Sequence, residues 1–280
     1  MKRVAIQGIA GCFHDIAARE YFRGEEVEIV PCESFQTEFE ALKEDPTLIG
    51  AIAIENTIAG SLLQNHNRLK ESGLWIVGEH QLRIKHNLVA IPGQDIQDIK
   101  EAYSHPVALM QCGKFLAEHR HIKAVESDDT ASSAKRVKEE GKKGVAAICG
   151  DLAAETYGLE VLAKGIETNK RNFTRFLFIA HPEMVAELNK DKYPNKASLS
   201  FSLPHEEGSL AQILSVLSYY KMNLCKIQSF PIIGKEWEYN FYVTLTFSSY
   251  ERYTQALNAV RPLAIDLQVQ GEYEQGRQTL

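Results

Sequence analysis

Residues 49–56, IGAIAIEN, form a near-continuous apolar run that ends in two polar residues. A strand with one face in water alternates apolar and polar side chains, whereas such a run belongs to a strand covered on both faces. Two shorter β-rich runs, RVAIQ at 3–7 and VEIVP at 27–31, precede it, and helical patterns lie between the three. This alternation predicts a mainly parallel α/β sheet with helices on both of its faces.

A second α/β series follows the extended segment 74–92. Its helices and strands start, in chain order, at Pro106, near Ile122, at Asp128, at Gly144 and at Asp151. Two α/β lobes joined by extended crossovers leave a cleft between them, which is a usual place for a small ligand.

The segment 181–196 is polar, contains two prolines and lacks a core pattern, so we interpret it as an interdomain linker. It divides the chain into a two-lobed domain at 1–180 and a second domain at 197–280. The elements predicted from its end onward are a strand at 196–203, a helix at 208–220, strands at 224–231 and 237–247, a helix at 250–259 and a strand at 265–271. This βαββαβ order is typical of the ferredoxin-like fold.

The composition excludes several classes of protein. A net charge of −6 without any basic run gives no reason to expect a nucleic-acid partner. No apolar run is long enough to cross a bilayer, and the start MKRVAIQGIAG lacks the features of a signal peptide. The five cysteines form no C-x-x-C pair and the nine histidines form no metal-binding motif. We therefore expect a cytoplasmic protein with reduced thiols, no metal and no membrane partner.

Polar residues fall at two places where α/β proteins make ligand contacts. Glu55 and Asn56 stand at the carboxyl end of the apolar strand, although they could equally open the following loop. Ser104 and Gln111 flank a helix that starts at Pro106, where free N–H groups could bind a carboxylate. Capping that helix is the commoner role for a serine such as Ser104.

Three further segments carry turn or helix-start signals. The glycine turn GIAGCF at 8–13 is not a dinucleotide fingerprint, but its N–H groups could hold a carboxylate. Helix capping alone explains SDDTASSA at 127–134. A capping box at Ser61 and Gln64 predicts a helix that starts just after Gly60.

The segment NFTRFLFI at 172–179 reads as a buried strand with Thr174 and Arg175 near its start. Adjacent strand residues point to opposite faces, and an unpaired guanidinium inside a sheet is costly. The pair is explained either by a strand end that reaches water or by a ligand site. The patterns by themselves indicate a two-lobed α/β protein that binds a small polar ligand.

Taken together and in order, several segments resemble those of the prephenate dehydratase family over essentially the whole chain. They are IQGIAGCFHDIAA, IAIENTIAGS, SHPVALMQCGKFL, DDTASSA, AAICGDLAAETYGL and NFTRFLFI. The resemblance implies a two-lobed catalytic domain of the type II periplasmic-binding-protein kind and a lyase that needs no cofactor. In that family the Thr-Arg-Phe triplet is the active-site signature, which here is Thr174, Arg175 and Phe176.

The implied reaction converts prephenate to phenylpyruvate, with loss of the ring hydroxyl as water and of the ring carboxylate as carbon dioxide. The resemblance gives Thr174 the role of hydrogen-bonding or protonating the departing hydroxyl, by placement in a dry site rather than by a matched pKa. Arg175 then either holds a carboxylate or pairs structurally with Glu55 or another acidic residue. The residues expected to line the substrate site are Glu55, Asn56, Thr57, Ser104, Gln111, Thr130 and Asn172.

The tail at 206–232 resembles an ACT domain, the amino-acid-sensing module of these enzymes, which in the family binds phenylalanine. The residues expected at that effector site are Gly208, Ser209, Leu210, Ala211, Asn223, Leu224, Gln228, Ser229, Phe230 and Pro231. The usual Glu-Ser-Arg-Pro segment is replaced by Gln228, Ser229, Phe230 and Pro231, which removes both charges, and core packing is the expected role of Phe230. The resemblance also implies a homodimer or homotetramer.

Three other functions are compatible with parts of this pattern. Arogenate dehydratase would need a carboxylate near the substrate amine, for which Glu55 or Asp128 is available. A decarboxylase on the same scaffold would spare the hydroxyl, and the intact triplet at Thr174 argues against it. A non-catalytic sensor would be a two-lobed binding domain joined to an amino-acid module.

Overall fold

The computed structural model describes residues 1–232, 234–235 and 238–279 of the 280-residue chain. Its strands are β1 (Lys2–Gln7), β2 (Val27–Cys32), β3 (Ile49–Asn56), β4 (Gly60–Ser61), β5 (Trp75–Arg83), β6 (Asn87–Ala90), β7 (Glu101–Ser104), β8 (Lys123–Glu126), β9 (Val145–Cys149), β10 (Glu160–Ala163), β11 (Phe173–Ala180), β12 (Lys196–Ser202), β13 (Asn223–Pro231), β14 (Tyr239–Thr246), β15 (Ile265–Tyr273) and β16 (Gln278–Thr279).

The helices are α1 (Phe13–Tyr21), α2 (Phe35–Glu44), α3 (Leu63–Ser72), α4 (Pro106–Gln111), α5 (Gly113–Glu118), α6 (Thr130–Glu140), α7 (Asp151–Tyr157), α8 (Val185–Leu188), α9 (Ser209–Tyr219) and α10 (Tyr250–Val260). Three 3₁₀ turns lie at Ile96–Asp98, Pro182–Met184 and Arg261–Leu263. No helix in the described part of the chain is long and apolar enough to cross a membrane.

The first sheet has the strand order β16-β5-β11-β3-β1-β2, and β4 pairs with β3. The strand β1 is parallel to both β2 and β3, as the alternating pattern predicts. Residues 49–54 of β3 are all buried, while Glu55 and Asn56 at its end are half-buried. The short strand β4 turns back on Glu55 and Asn56, and α3 begins at Leu63 rather than directly after Gly60.

The second sheet has the order β10-β6-β9-β7-β8. The strand β7 is parallel to both of its neighbours, β8 and β9, whereas β6 runs antiparallel to β9 and β10. The predicted extended segment 74–92 is two strands, β5 in the first sheet and β6 in the second. This sheet is therefore mixed, with parallel pairs at β7 and antiparallel pairs at β6.

The third sheet is antiparallel and has the order β13-β14-β12-β15. With α9 and α10 it forms the predicted ferredoxin-like βαββαβ unit around a core that includes Leu199, Phe201 and Tyr253. The predicted strand at 237–247 is β14, and its expected first residue, Trp237, lies outside the described residues.

The chain forms two compact units, and each is built from separate stretches of sequence. Unit 1 contains Met1–Leu62, His80–Phe176 and a short C-terminal segment that begins at Gln278, while unit 2 contains Leu63–Glu79 and Leu177–Arg277. The segment proposed as a linker, 181–196, carries the 3₁₀ turn at Pro182–Met184 and helix α8.

A buried ion pair ties together the two stretches of unit 2. The Lys196 Nζ atom lies 2.6 Å from Glu79 Oε1, and both side chains are almost fully buried. The Gly276 N–H group donates to the same carboxylate oxygen at 3.2 Å. The extra hydrogen bond matters because a buried carboxylate is costly unless its oxygens are satisfied.

Candidate active site

The side chain of Asn56, at the end of β3, connects three residues of the segment that leads into β11. Its Nδ2 atom donates to Asn172 Oδ1 at 2.8 Å, to the Phe173 carbonyl at 3.2 Å and to Thr174 Oγ1 at 2.9 Å. Its Oδ1 atom accepts the N–H groups of Ile58 and Ala59, both at 2.9 Å. Because a backbone N–H can only donate, these two contacts fix which end of the Asn56 amide is the oxygen.

The fixed orientation of Asn56 sets the direction of the next hydrogen bonds. Asn172 accepts at its oxygen, so its nitrogen donates, and the acceptor is Gln111 Oε1 at 2.9 Å. The same Gln111 oxygen lies 2.9 Å from His86 Nε2. Asn172, Gln111 and His86 are all buried, so each of these contacts is shielded from competing water.

The hydroxyl group of Thr174 accepts a hydrogen bond but donates none within the described part of the chain. The Thr174 oxygen accepts from Asn56, and the described residues offer no acceptor for its O–H group. The side chain is buried, with 9% of the residue exposed, at the start of β11. A hydroxyl that accepts one hydrogen bond and has no acceptor of its own can donate to a bound ligand.

Arg175 and Glu55 lie next to Thr174 and Asn56 in the sequence, and their side chains contact each other. We call the side chains of Asn56, Gln111, Asn172 and Thr174 the amide cluster. The Arg175 Nη1 atom is 4.0 Å from Glu55 Oε2, and Arg175 is buried with 6% of the residue exposed. Because neighbouring strand residues diverge, Thr174 is paired with Asn56 and Arg175 with Glu55. The side chains of Thr174 and Arg175 therefore follow the strand pattern, in which adjacent residues point to opposite faces.

Phe176, the third member of the triplet, is a core residue. It is 1% exposed, and its ring packs nearly perpendicular to the ring of His14 with centroids 5.0 Å apart. Burial lowers the pKa of His14 to about 3. Phe176 is therefore packed in the core, and its predicted part in the active site stays a prediction.

Thr57 fastens the loop after β3 to the segment before β11. Its hydroxyl accepts the Phe173 N–H at 3.0 Å and donates to the Arg171 carbonyl at 3.2 Å, while its own N–H donates to the Phe173 carbonyl at 2.9 Å. Thr57 therefore positions the segment that carries Asn172 and Thr174.

Ser104 and Thr130 lie outside the amide cluster. Ser104 is fully buried, and its hydroxyl donates to the Ile148 carbonyl at 2.6 Å, so it connects β7 to β9. The expectation that Ser104 caps the next helix is wrong, because the N-cap is His105 and its Nδ1 atom accepts the Val107 N–H at 3.2 Å. Thr130 is the buried first residue of α6, which Asp129 caps as predicted.

The glycine turn between β1 and α1 binds a carboxylate of the protein itself. The Gly11 N–H donates to the Asp15 carboxylate at 2.8 Å, so the carboxylate held there belongs to α1 rather than to a ligand. A Cβ atom added at Gly11 would lie 2.8 Å from the Cα atom of Ala153 in α7. The Gly8 position lies near Asp129 at the start of α6, which puts this turn beside the second sheet's helices.

His86 was not among the residues predicted from sequence. It lies between β5 and β6, where its backbone N–H donates to Glu167 Oε2 at 3.0 Å. Burial lowers the pKa of His86. A histidine in the apolar context IKHNLV carries no local signal of this role, since its partner Gln111 is 25 residues away.

A cavity of about 320 Å³ lies elsewhere in unit 1. It is bordered by charged side chains of both signs, among them Arg19, Glu20, Arg83, Asp151 and Glu155. No residue of the amide cluster lines it. The cavity and the amide cluster are therefore separate features of unit 1.

The residues expected at an effector site all belong to α9, its N-cap and β13. Gly208 is the N-cap of α9 with φ +83°, followed by Ser209, Leu210 and Ala211 in the first turn. The other six lie on β13, the edge strand of the third sheet, where exposed and half-buried residues alternate from Lys226 onward. Phe230 is only half-buried, so it is not the packed core residue that the sequence suggests.

Unit 1 thus combines a two-sheet α/β fold with a buried cluster of amide side chains next to the Thr174 hydroxyl. Residues 4–184 match the family model described as prephenate dehydratase. The chain belongs to the prephenate dehydratase family, whose curated relatives are hydro-lyases of aromatic amino acid biosynthesis.

Relatives support this assignment over nearly the full chain. A chloroplastic arogenate dehydratase/prephenate dehydratase 2 from Arabidopsis thaliana is 35% identical over 281 residues, which cover 97% of this chain and 72% of that protein. The structure of a prephenate dehydratase from Arthrobacter aurescens in complex with L-Phe is 26% identical with a TM-score of 0.85, covering 98% of this chain and 90% of that one.

A second solved structure is described as GqqA, a novel type of quorum-quenching acylase. It is 28% identical to this chain with a TM-score of 0.86, and 98% of each chain is covered. The fold is therefore shared between proteins that are described by different reactions, and the site must decide between them.

Proposed function

We propose that this protein is a prephenate dehydratase that forms phenylpyruvate, carbon dioxide and water from prephenate, without a cofactor. The main support for the proposal is the Thr174 hydroxyl, which accepts a hydrogen bond from Asn56 and can donate its own hydrogen to a bound ligand. In the reaction the carbon–carbon bond to the ring carboxylate breaks, its electrons enter the ring, and the carbon–oxygen bond to the hydroxyl breaks. The departing oxygen takes up a proton and leaves as water.

Thr174 stabilises the departing oxygen by hydrogen bonding. A threonine hydroxyl is a weak acid, so its contribution comes from being held in place before the bond breaks rather than from its pKa. The hydrogen bond that it accepts from Asn56 polarises its O–H group and strengthens its own donation. Arg175 supplies a positive charge near Glu55, and we propose that it also attracts the dianionic substrate.

The Thr174→Ala and Thr174→Ser proteins test this role. We expect Thr174→Ala to lower kcat for phenylpyruvate formation by about 10²–10⁴-fold, since the donor to the leaving group is lost. Thr174→Ser keeps the hydroxyl and retains most of the activity, so it is the matched control. Near-normal turnover by a folded Thr174→Ala protein would remove Thr174 from the mechanism.

Arogenate is the second candidate substrate, because the Arabidopsis relative is described by both activities. Arogenate carries an amine where prephenate has a ketone, and a carboxylate would have to accept from it. Glu55 already lies 4.0 Å from Arg175, and Asp128 is exposed. We therefore expect a higher kcat/KM for prephenate, measured with both substrates under the same conditions; a higher value for arogenate would reverse the assignment.

Acyl hydrolysis of the kind that the GqqA description names would require an activated nucleophile. The neighbour of the Thr174 oxygen is the Asn56 N–H, which donates and cannot take the Thr174 proton. We expect no hydrolysis of an acyl-homoserine lactone at enzyme concentrations that give full prephenate turnover. Hydrolysis that Thr174→Ala abolishes would favour the acylase reading.

We further propose that residues 197–280 form an ACT regulatory domain through which L-phenylalanine inhibits a cytoplasmic homodimer or homotetramer, with residues 1–180 as the catalytic domain and 181–196 as the linker. The support is the ferredoxin-like strand order and the relative solved with L-Phe. The predicted effector residues are those of α9, its N-cap and β13 described above.

Phenylalanine can inhibit only if it binds one conformational state better than another. A titration of phenylalanine against prephenate turnover is expected to show saturable inhibition. Gly208→Val should weaken this inhibition, because a β-branched residue is strained at φ +83°. Its uninhibited turnover is expected to match that of wild type. Flat activity across the titration would end the regulatory proposal and leave the dehydratase proposal intact.

A further inference from the structure

We propose that His86 is a positioning residue: by donating from Nε2 to Gln111 Oε1, it holds the Gln111 amide so that its NH₂ group is presented to the substrate. The inference rests on the proposed dehydratase function and adds a residue to its site.

The argument begins with the direction of the amide chain. Backbone N–H groups fix the Asn56 oxygen, Asn56 then donates to Asn172, and Asn172 donates to Gln111 Oε1. The Gln111 oxygen accepts a second contact from His86 Nε2 at 2.9 Å. A reversed Gln111 amide would set its NH₂ group against the NH₂ group of Asn172, so the oxygen occupies this position. Since an oxygen can only accept, the contact with His86 is a hydrogen bond when His86 Nε2 carries the hydrogen.

The Gln111 nitrogen is consequently left with two donors. The described residues provide no acceptor for it, and Gln111 lies within one hydrogen bond of Asn172, which is joined through Asn56 to Thr174. The Gln111 NH₂ group and the Thr174 hydroxyl are thus two donors of the amide cluster that have no acceptor among the described residues. Donors of this kind suit the carboxylate or carbonyl oxygens of a small anionic substrate.

His86 is itself held in place from two sides. Its backbone N–H donates to the buried Glu167 carboxylate, and its ring packs nearly perpendicular to the Phe13 ring with centroids 5.4 Å apart. Its Nδ1 atom is buried without a partner among the described residues. A neutral ring with its hydrogen on Nε2 is the form that avoids burying an unpaired N–H at Nδ1.

The decisive variants are His86→Leu, which removes the donor, and His86→Gln, which can return an N–H near the Nε2 position. We expect His86→Leu to raise KM for prephenate about ten- to hundredfold, since the Gln111 amide loses one of two partners in a buried site. His86→Gln is expected to restore most of the affinity. His80→Leu is the matched control, because His80 is also buried in unit 1 but contacts Thr279 instead.

A double-mutant cycle separates positioning from general stability. If His86 acts only through Gln111, adding His86→Leu to Gln111→Ala should change KM by less than about twofold. Full additivity, or a folded His86→Leu protein with wild-type KM, would overturn the proposal. If His86→Leu does not fold, the wild-type ring still tests it by ¹⁵N NMR, where the Nε2–H tautomer is expected and the Nδ1–H tautomer contradicts it.

The two proposals fail in different ways. A wild-type protein that turns over neither prephenate nor arogenate would end the dehydratase proposal, and the tautomer measurement would then judge the His86–Gln111 contact alone. A wild-type protein that is active while His86→Leu behaves as His80→Leu does would end only the His86 proposal.

Discussion

Asn56 directs its oxygen at the backbone N–H groups of Ile58 and Ala59 and its nitrogen at Asn172 and Thr174. One amide therefore stabilises the loop after β3 and also leaves the Thr174 hydroxyl with a free hydrogen. An aspartate would preserve the first role and abolish the second. The two roles of Asn56 can thus be separated by a single change.

For Asn56→Asp we expect kcat/KM to fall by about 10²-fold or more, which is typical when a positioned donor is lost from an active site. The new carboxylate oxygen would face Thr174 Oγ1 and accept the hydrogen that the substrate needs. Kinetics with prephenate would show the loss, while thermal unfolding should show that the loop is kept.

Asn169→Asp is the control for this change. Asn169 is exposed, and its oxygen accepts the Arg171 N–H at 2.9 Å, so it makes the same kind of turn without using its nitrogen. We expect its kcat/KM to stay within about threefold of wild type, because an exposed charge is screened. An equal loss in both variants would mean that added charge, rather than the lost donor, is responsible.

For individual residues, the sequence could indicate Asn56 and Thr174 as candidate site residues because each stands at a strand end in the predicted sheet. It could not give the contacts among Asn56, Asn172 and Gln111, since hydrogen bonds between residues 61 and 116 positions apart depend on the tertiary fold. Ser104 shows the same difficulty, because its neighbour Ile148 comes from another strand of the sheet.

Among the elements, the glycine turn before α1 shows how close packing limits the sequence. Gly11 has φ +88°, and an added Cβ atom would lie 2.8 Å from the Cα atom of Ala153 in α7. Backbone atoms cannot move aside as a flexible side chain can. The turn and α7 can therefore approach this closely only with glycine at this position.

We expect Gly11→Ala to lower the free energy of unfolding by about 2–4 kcal/mol, through backbone strain together with the clash against α7. Gly24→Ala is the matched control: Gly24 has φ +93°, but an added Cβ there meets nothing within 4 Å. It should lose only about 1 kcal/mol, the part due to strain. Urea unfolding would measure both, and equal losses would remove the close approach as the cause.

The sequence predicted most elements of the first and third sheets because period and turn residues are local signals. It did not show that the extended segment 74–92 divides into β5 and β6 of two different sheets, or that β6 runs antiparallel to its neighbours, since an apolar run does not reveal the direction of neighbouring strands. The two-residue strands β4 and β16 are too short to carry any periodicity.

Across the whole molecule, buried histidines make stability depend on pH. Burial lowers the pKa of His14 to about 3 and also lowers the pKa of His80 and of His86. Each ring is neutral in the folded protein but takes up a proton near pH 6.5 when the chain is unfolded. The unfolded state then binds more protons, so stability is complete above that pH and is lost as the pH falls toward 3.

His14 alone should cost about 2 kcal/mol of unfolding free energy between pH 7 and pH 5. We expect His14→Phe to remove this part of the slope, because a phenylalanine ring can occupy the space beside Phe35 and Phe176 without titrating. Urea unfolding at pH 5, 6, 7 and 8 would measure the slope. An unchanged slope in a His14→Phe protein that is folded at pH 8 would assign the acid sensitivity to other groups.

The strand β16 pairs with β5 inside unit 1, and its residues follow the whole of unit 2 in the sequence. Helix α3 of unit 2 is likewise separated from β14, although Asn67 and Lys70 bond to Tyr242 and Asn240 on that strand. During synthesis on the ribosome, neither unit can be completed from its first stretch alone. Unit 1 must wait for Gln278 and the residues after it, unit 2 must wait for the residues that follow Phe176, and the nascent chain has to keep its early apolar strands soluble until then.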